Sequence, residues 1–282
     1  MSEAPAHPGW VLVDGHAHVH RCFDPDRFLD AAYRNLRAAA AGRGADAAFD
    51  GVLALTERAD DDVFGELWAL ASGPRPLWGG WRLERGADGI SIRAIRDDRA
   101  LVLVAGRQVA AREGLEVLMV GTRRRMADGA AISDVLRQGR EWSTVRVIPW
   151  GAGKWFFARG RLLSRIMRQA DPCDFFLGDE GSRPVFWPEP SHFAEARTLG
   201  LRILPGTDPL PFPSETARAG SFGAAFPGRL DRDRPGESLL AALRLPGTAL
   251  TSFGALESPL RFVRHQVGMQ LRKRRRVRMA EA

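Results

Sequence analysis

The stretch that decides the fold is Trp10-Val11-Leu12-Val13-Asp14-Gly15-His16-Ala17-His18-Val19-His20. It opens with β-branched and apolar residues, the composition of a buried strand, and its polar groups arrive only toward the C-terminal end. With a period of two, Leu12, Asp14, His16, His18 and His20 share one face, and Val11, Val13, Gly15, Ala17 and Val19 share the other. That second face is small and apolar enough to lie under packed helices. A strand that is polar on one face at its C-terminal end suits the mouth of a β/α barrel, where strand ends converge on a site. Two imidazoles at i and i+2 on one face reach a common point, and neutral histidine is a favoured ligand for zinc, iron and manganese.

Working outward, Asp24-Pro25 reads as an N-cap followed by proline at N1. The helix it opens carries Phe28, Ala31, Ala32, Leu36 and Ala39 at helical spacing up to Gly42 and Gly44. GVLALTE (Gly51 to Glu57) is a second strand, and a helix follows around Asp61 to Ala71. From Leu77 to Val104, WGGWRLER, ISIRAIR and ALVLVAG alternate with turn signals at Gly86 to Gly89 and at Asp97-Asp98, which predicts antiparallel strands. GRQVAAREGLEVLMVG continues strand-rich. The second half alternates again: VRVIPWG, helix LLSRIMRQA, DFFLGD, helix SHFAEARTLG with Ser191 as N-cap, then LRILPGTD. A last helix starts at Ser258-Pro259, carries Leu260, Val263, Val267 and Leu271 on one face, and dissolves into a basic run. Strands separated by helices favour a mostly parallel sheet. The expected fold is a single, distorted TIM-type β/α barrel over residues 1–270, with a small antiparallel β insertion at 77–104 and a basic tail at 271–282.

At 282 residues and 45% hydrophobic, the chain can bury one core of that size. Cys22 and Cys173 make no CxxC pair and no disulfide framework, which fits a reducing cytoplasm. The opening MSEAPAHPGW has neither a basic n-region nor an apolar h-region, so no signal peptide is expected. No apolar run approaches the ~20 residues that span a bilayer. The net charge of +7 is almost entirely arginine, with Lys154 and Lys273 the only lysines. Much of the excess sits in LRKRRRVRM, from Leu271 to Met279. A charge excess reads no sequence, and no nucleic-acid-binding motif accompanies it, so a nucleic-acid partner is not expected.

Three further segments carry chemistry-bearing residues. Pro205-Gly206-Thr207-Asp208-Pro209 ends a late strand, where Asp208 either faces the mouth or caps the next segment as part of a turn. Phe176 to Pro184 ends another strand with two acids and an arginine. Asp179 is a candidate additional ligand there and Arg183 a candidate anion clamp, the alternative being an acidic turn with a local ion pair. Gly151-Ala152-Gly153-Lys154-Trp155 is not a Walker loop, yet Lys154 is placed to hold an anion or donate a proton. Glu57, Gln108 and Glu113 also lie near strand ends, His20 reads as a mouth residue, and His192 and His265 sit on helices as structural residues. Trp150, Trp155 and Trp187 wall a pocket or belong to the core.

DGHAHVH resembles the first motif of the amidohydrolase and PHP (polymerase and histidinol phosphatase) groups of metal-dependent hydrolases. PGTDP resembles their late GTD or GSD strand end, whose aspartate binds metal or takes a proton from the attacking water. The resemblance implies a divalent cation (zinc, manganese or iron) held by His16, His18 and Asp208, with Asp208 doubling as base. One departure stands out: PHP proteins usually place a histidine two residues after that aspartate, and this chain has Leu210. With six histidines, one of them His7, a mononuclear or mixed carboxylate site is the expectation. The expected reaction is hydrolysis of a small anionic substrate, phosphoester first because arginine and lysine suit phosphate. A C–N or ester bond comes second. The rival class is a degenerate hydrolase fold that binds a ligand or partner without turnover, motivated by the thin histidine set and by Trp150 at a strand end.

Overall fold

The structure is a computed structural model that describes residues 9–44, 48–172 and 174–280, with side chains described up to Arg272. Cys173 and His7 therefore lie outside the described residues. The first half comprises β1 (Trp10–Ala17), α1 (Pro25–Ala41), β2 (Phe49–Glu57), α2 (Val63–Leu70), β3 (Leu77–Trp78), β4 (Trp81–Arg85), β5 (Ser91–Arg96), β6 (Arg99–Ala110) and β7 (Glu116–Val120). After these come α3 (Ile132–Glu141), β8 (Val145–Pro149), α4 (Phe157–Gln169), β9 (Phe176–Gly178), α5 (Ser191–Thr198) and β10 (Arg202–Ile203). The chain ends with β11 (Phe222–Pro227), α6 (Pro235–Arg244), β12 (Thr251–Gly254) and α7 (Pro259–Ala280). Asp24 caps α1 as expected, accepting from Arg27 N at 2.8 Å. At α5 the expectation is off by one residue: Pro190 holds the cap position and Ser191 is already helical.

One sheet runs in the order β10-β9-β8-β7-β6-β2-β1-β11-β12. β1, β2, β6, β8, β9 and β10 all point the same way, so their C-terminal ends share one rim; β7 and β11 run against them. The sheet curls until β1 meets the chain leaving β10. There Gly15 N donates to Pro205 O at 3.0 Å and Asp208 N donates to His16 O at 2.8 Å. Strand pairing does not complete the circle, because β11 occupies the other half of that edge of β1, from Trp10 to Val13. The TIM-like barrel is thus a curled mixed sheet that is not fully closed.

The expected insertion exists as the antiparallel meander β3-β4-β5, but its last strand belongs to the barrel. β6 pairs in parallel with β2 along one edge, while β5 and β7 share the other, at Arg99–Val104 and Gly106–Ala110 respectively. Alternate residues then fill two layers. Val11, Val13, Val52, Ala54, Val104 and Phe176 face the inside of the curl with Leu239 and Leu243 of α6. Leu12, Leu53 and Leu103 face α1, α2 and the meander, and Met119, Ile148 and Leu177 face α3 to α5.

α7 departs from expectation in its length. It stays helical through Ala280, so the boundary placed at 271 falls inside a helix. Leu260, Val263, Val267 and Leu271 do lie along one stripe, yet that stripe faces solvent, each residue 53–81% exposed. Among the described residues no helix is long and apolar enough to cross a membrane.

Candidate metal centre

The site starts from an irregularity in β1. Its register against β2 pairs Asp14 with Leu53 and then Ala17 with Leu55, so β1 carries one extra residue between them. Such a bulge flips the alternation of side chains. Before it, Val11 and Val13 point inward and Leu12 packs under α1; after it, Ala17 joins the α1 layer. His16 and His18 therefore turn inward at the rim. The unbroken face expected for Leu12, Asp14, His16, His18 and His20 is split at Asp14.

Asp14 fixes the bulge to the far end of the chain. Its fully buried carboxylate accepts from Thr207 N (2.9 Å), Thr207 Oγ1 (2.6 Å), Gly220 N (2.9 Å) and His16 N (3.2 Å). Burial pushes its pKa up to about 6 despite these donors. Each residue of Gly206-Thr207-Asp208 then has a reason. A Cβ on Gly206 would lie 2.3 Å from His16 N, so only glycine permits this approach of the two backbones. Thr207 supplies two of the bonds to Asp14. Asp208 adopts φ +44°, a left-handed conformation that aspartate tolerates better than most residues, and so reaches the histidines.

The resulting cluster is compact. His16 Nε2 and His18 Nε2 are 3.0 Å apart, and Asp208 Oδ1 lies 3.5 Å from His18 Nε2 and 3.8 Å from His16 Nε2. These separations bracket the roughly 3.4 Å edge of a tetrahedron with ~2.1 Å metal–ligand bonds. His16, His18 and Asp208 are the group of potential ligands found among the described residues, with donor atoms within 4.8 Å of one another. Gln108 Oε1 adds a contact to His16 Nε2 at 3.2 Å. Glu180, 1% exposed, holds the opposite ring nitrogen, with Oε1 2.7 Å from His16 Nδ1. A carboxylate on Nδ1 fixes the tautomer that leaves Nε2 as a ligand. The donor set, geometry and burial fit a divalent cation.

Charge in the site is arranged to match. Burial alone would strip His16 of its second proton, but Glu180 and Asp208 outweigh it and raise its pKa well above the imidazole value. Burial in turn pushes Glu180 above the carboxylate range, even against His16. His18 is lowered to about 3 by burial and by the charge on His16, so it is neutral. Burial would raise Asp208 as well; the charge on His16 first, with Lys154 adding to it, outweighs burial and keeps the carboxylate ionised.

Other candidate residues are placed elsewhere. Asp179 is a correction: both its oxygens accept from Arg183, Nε and Nη2 each at 2.8 Å, and it stands outside the cluster. Arg183 is corrected by the same contact, since its fork is closed on Asp179 and Nη1 reaches Trp187 O, leaving no clamp for an anion. The acid that serves the site is the next residue. Phe176 faces inward and Leu177 outward, so Glu180 has the inward parity and Asp179 the outward one. Lys154 is near enough to act on Asp208, but its ammonium pairs with Glu116. Glu57 caps α2 through Phe64 N and pairs with Arg107, and Glu113 accepts from Ile132 N at the start of α3. His20 bonds Pro209 O at 2.8 Å, His192 bonds Gly160 O, and His265 lies in a buried ionic cluster.

A cavity of about 670 Å³ opens beside His20, lined by Arg21, Arg58, Val63, Pro211, Met269 and Arg272 among others. A larger cleft of about 1000 Å³ lies between α4 and α5, walled by Trp150, Trp155 and Trp187, and contains none of the cluster residues.

No protein-family model and no curated protein matches the chain. Among solved structures, PsfC from Pseudomonas syringae is similar with a TM-score of 0.57 at 16% identity, over 93% of this chain and 98% of that one. The lesion-specific endonuclease EndoQ of Pyrococcus furiosus superposes with a TM-score of 0.48 at 11% identity, over 87% of this chain and 59% of that one. A two-domain Bacteroides vulgatus protein containing a predicted PHP-like metal-dependent phosphoesterase gives 0.45 at 13% identity, over 89% and 68%. At these identities the likeness to PsfC extends to the fold alone.

Proposed function

We propose that the chain is a metal-dependent hydrolase in which His16, His18 and Asp208 hold one divalent cation, zinc, manganese or iron, at the rim of the curled sheet. The observation that carries this reading is the convergence of three donor atoms within 4.8 Å, from two segments far apart in sequence. A cation there would supply Lewis-acid polarisation of a substrate oxygen and of water. The rest falls to the chain. Glu180 orients His16 and holds its Nδ1 proton; His18, neutral, offers its Nε2 lone pair. Asp208, with its side chain 30% exposed, is the acid of the cluster open to solvent and takes a proton from the attacking water. His16, with a smaller contribution from Lys154, holds that carboxylate ionised.

A phosphoester of a small anionic molecule is the favoured substrate, because Arg21, Arg58 and Arg272 line the cavity beside His20, Arg21 and Arg58 there being shared with Glu66 and Asp61. One observation favours the C–N or ester alternative: Lys154 and Arg183, expected to grip a phosphate, are each paired with an acid. A non-catalytic binding role is separated from both by turnover. Elemental analysis after reconstitution should give one divalent metal per chain, abolished in His16→Ala/His18→Ala. Phosphoesters and amides are then screened with Zn²⁺, Mn²⁺ or Fe²⁺. Full metal content in the double variant sinks the reading.

A further inference from the structure

α7 is attached by its charged side and presents its aliphatic side to solvent. On the attached side His265 is 7% exposed, with Nε2 3.2 Å from Glu215 Oε1, and Arg261 Nη2 reaches the same oxygen at 2.7 Å. Arg218 Nη1 donates to Glu257 at 2.6 Å, and both glutamates are buried. The ring of Phe212 stacks on His265, and Arg272 donates to Pro211 O. These contacts fix the helix to the segment from Pro211 to Arg218.

The outward side is the reverse of what folding selects. Leu260 is 81% exposed and Val263, Val267 and Leu271 are 53–55% exposed, spaced three, four and four residues apart on one stripe. Exposed Phe186 extends this apolar surface, its ring 6.0 Å from that of Phe262. A continuous stripe of this kind marks a contact surface, unlike scattered exposed aliphatics. Between Pro259 and Ala280 the sequence has eight basic residues and no acid. Two copies packed in parallel through the stripe would bring two such basic, acid-free segments side by side. A nucleic acid would use the cations but has no use for four aliphatic side chains. An anionic bilayer surface satisfies both features, taking the aliphatic side chains into the acyl boundary while the net positive charge of the segment favours its phosphates.

We propose that α7 is a peripheral membrane-binding helix that lies on anionic phospholipid through Leu260, Val263, Val267 and Leu271. Met269, Gln270 and Arg272 of the same helix line the cavity beside His20. The inference stands apart from the metal reading.

The test is co-sedimentation of the full chain with phosphatidylcholine vesicles, with and without phosphatidylglycerol, at low and high salt. The comparison variant is Val263→Ser/Val267→Ser/Leu271→Ser, which keeps every charge and alters only exposed positions, its fold checked by thermal melting. Wild type should prefer phosphatidylglycerol vesicles by at least roughly tenfold, and the serine variant should lose about tenfold of that affinity without a change in melting temperature. Equal binding by the serine variant overturns the proposal, as does no binding by wild type. Light scattering that finds a dimer broken by the serine variant assigns the stripe to a second copy and overturns it too. So does salt-sensitive binding of DNA or RNA in preference to vesicles.

Discussion

Replacing Glu180 by glutamine changes the charge of the side chain and almost nothing of its volume. Glu180 Oε1 takes the Nδ1 proton of His16 at 2.7 Å, while Oε2 is buried with no hydrogen-bond partner. A glutamine has two ways to sit. With its oxygen toward Nδ1 the tautomer survives, but the NH₂ occupies the place of Oε2 with nothing to donate to, which costs about 1–3 kcal/mol. With NH₂ toward Nδ1, the imidazole proton must move to Nε2, and the lone pair proposed to bind the cation is lost. Stability changes less than metal binding, because the substitution also removes a carboxylate that burial disfavours. Losing such a partner should weaken metal affinity roughly 10–100-fold, about 1.4–2.7 kcal/mol. Competition titration of the metal-free protein against a fluorescent chelator measures this, with melting temperature followed in parallel. An affinity within about threefold of wild type would refute the assignment of Glu180 as a positioning residue. A large fall in the melting temperature of the metal-free protein would make its role structural instead.

Asp208→Asn keeps a residue that tolerates positive φ, so stability should change little, while turnover falls by roughly 10²–10⁴ if Asp208 is the base; an active variant within a few-fold of wild type removes that role. Gly206→Ala sets a methyl 2.3 Å from His16 N and should cost about 2–4 kcal/mol together with metal binding, so an unchanged melting temperature contradicts the tight closure described above. At Glu215, burial would raise the carboxyl, but His265, Arg218 and Arg261 outweigh it and hold it below the usual range. Its stabilisation is therefore present above its unfolded value near ~4.3 and lost as pH falls through the lower folded value. Wild type should lose stability more steeply than Glu215→Gln in that acidic window, and parallel melting curves would count against the ionic cluster.

What the sequence made legible was local. The alternation in WVLVDGHAHVH, the Asp24-Pro25 cap and the Gly-Thr-Asp strand end could all be read because each depends on neighbours in sequence. The bulge in β1 could not, since it exists only in the register against β2. Choosing Asp179 over Glu180 was avoidable in principle: counting by two from inward Phe176 lands on Glu180. The ion pairs of Lys154 and Arg183 differ in how far they are legible. The acid on Lys154 comes from Glu116, a distant strand start, while Arg183 closes on an acid only four residues away. The stripe on α7 is legible in the sequence but the direction it faces is not, because a buried ionic cluster attaches the opposite face.

The bond from Thr207 N to Asp14 joins residues 193 positions apart, and the two halves of the ligand set lie on either side of it. Bringing such remote segments together carries a high loop-closure entropy, so this contact belongs among the late events of folding. Partly folded chains can hold β1 with its two histidines and still lack Asp208. They would bind a cation weakly, whereas the closed chain would bind it tightly. By linkage the cation then shifts the equilibrium toward closure, by RT ln(1 + [M]/Kd). Time-resolved uptake of metal during refolding would therefore report when the first and last thirds of the chain join, a step that helix content alone would miss.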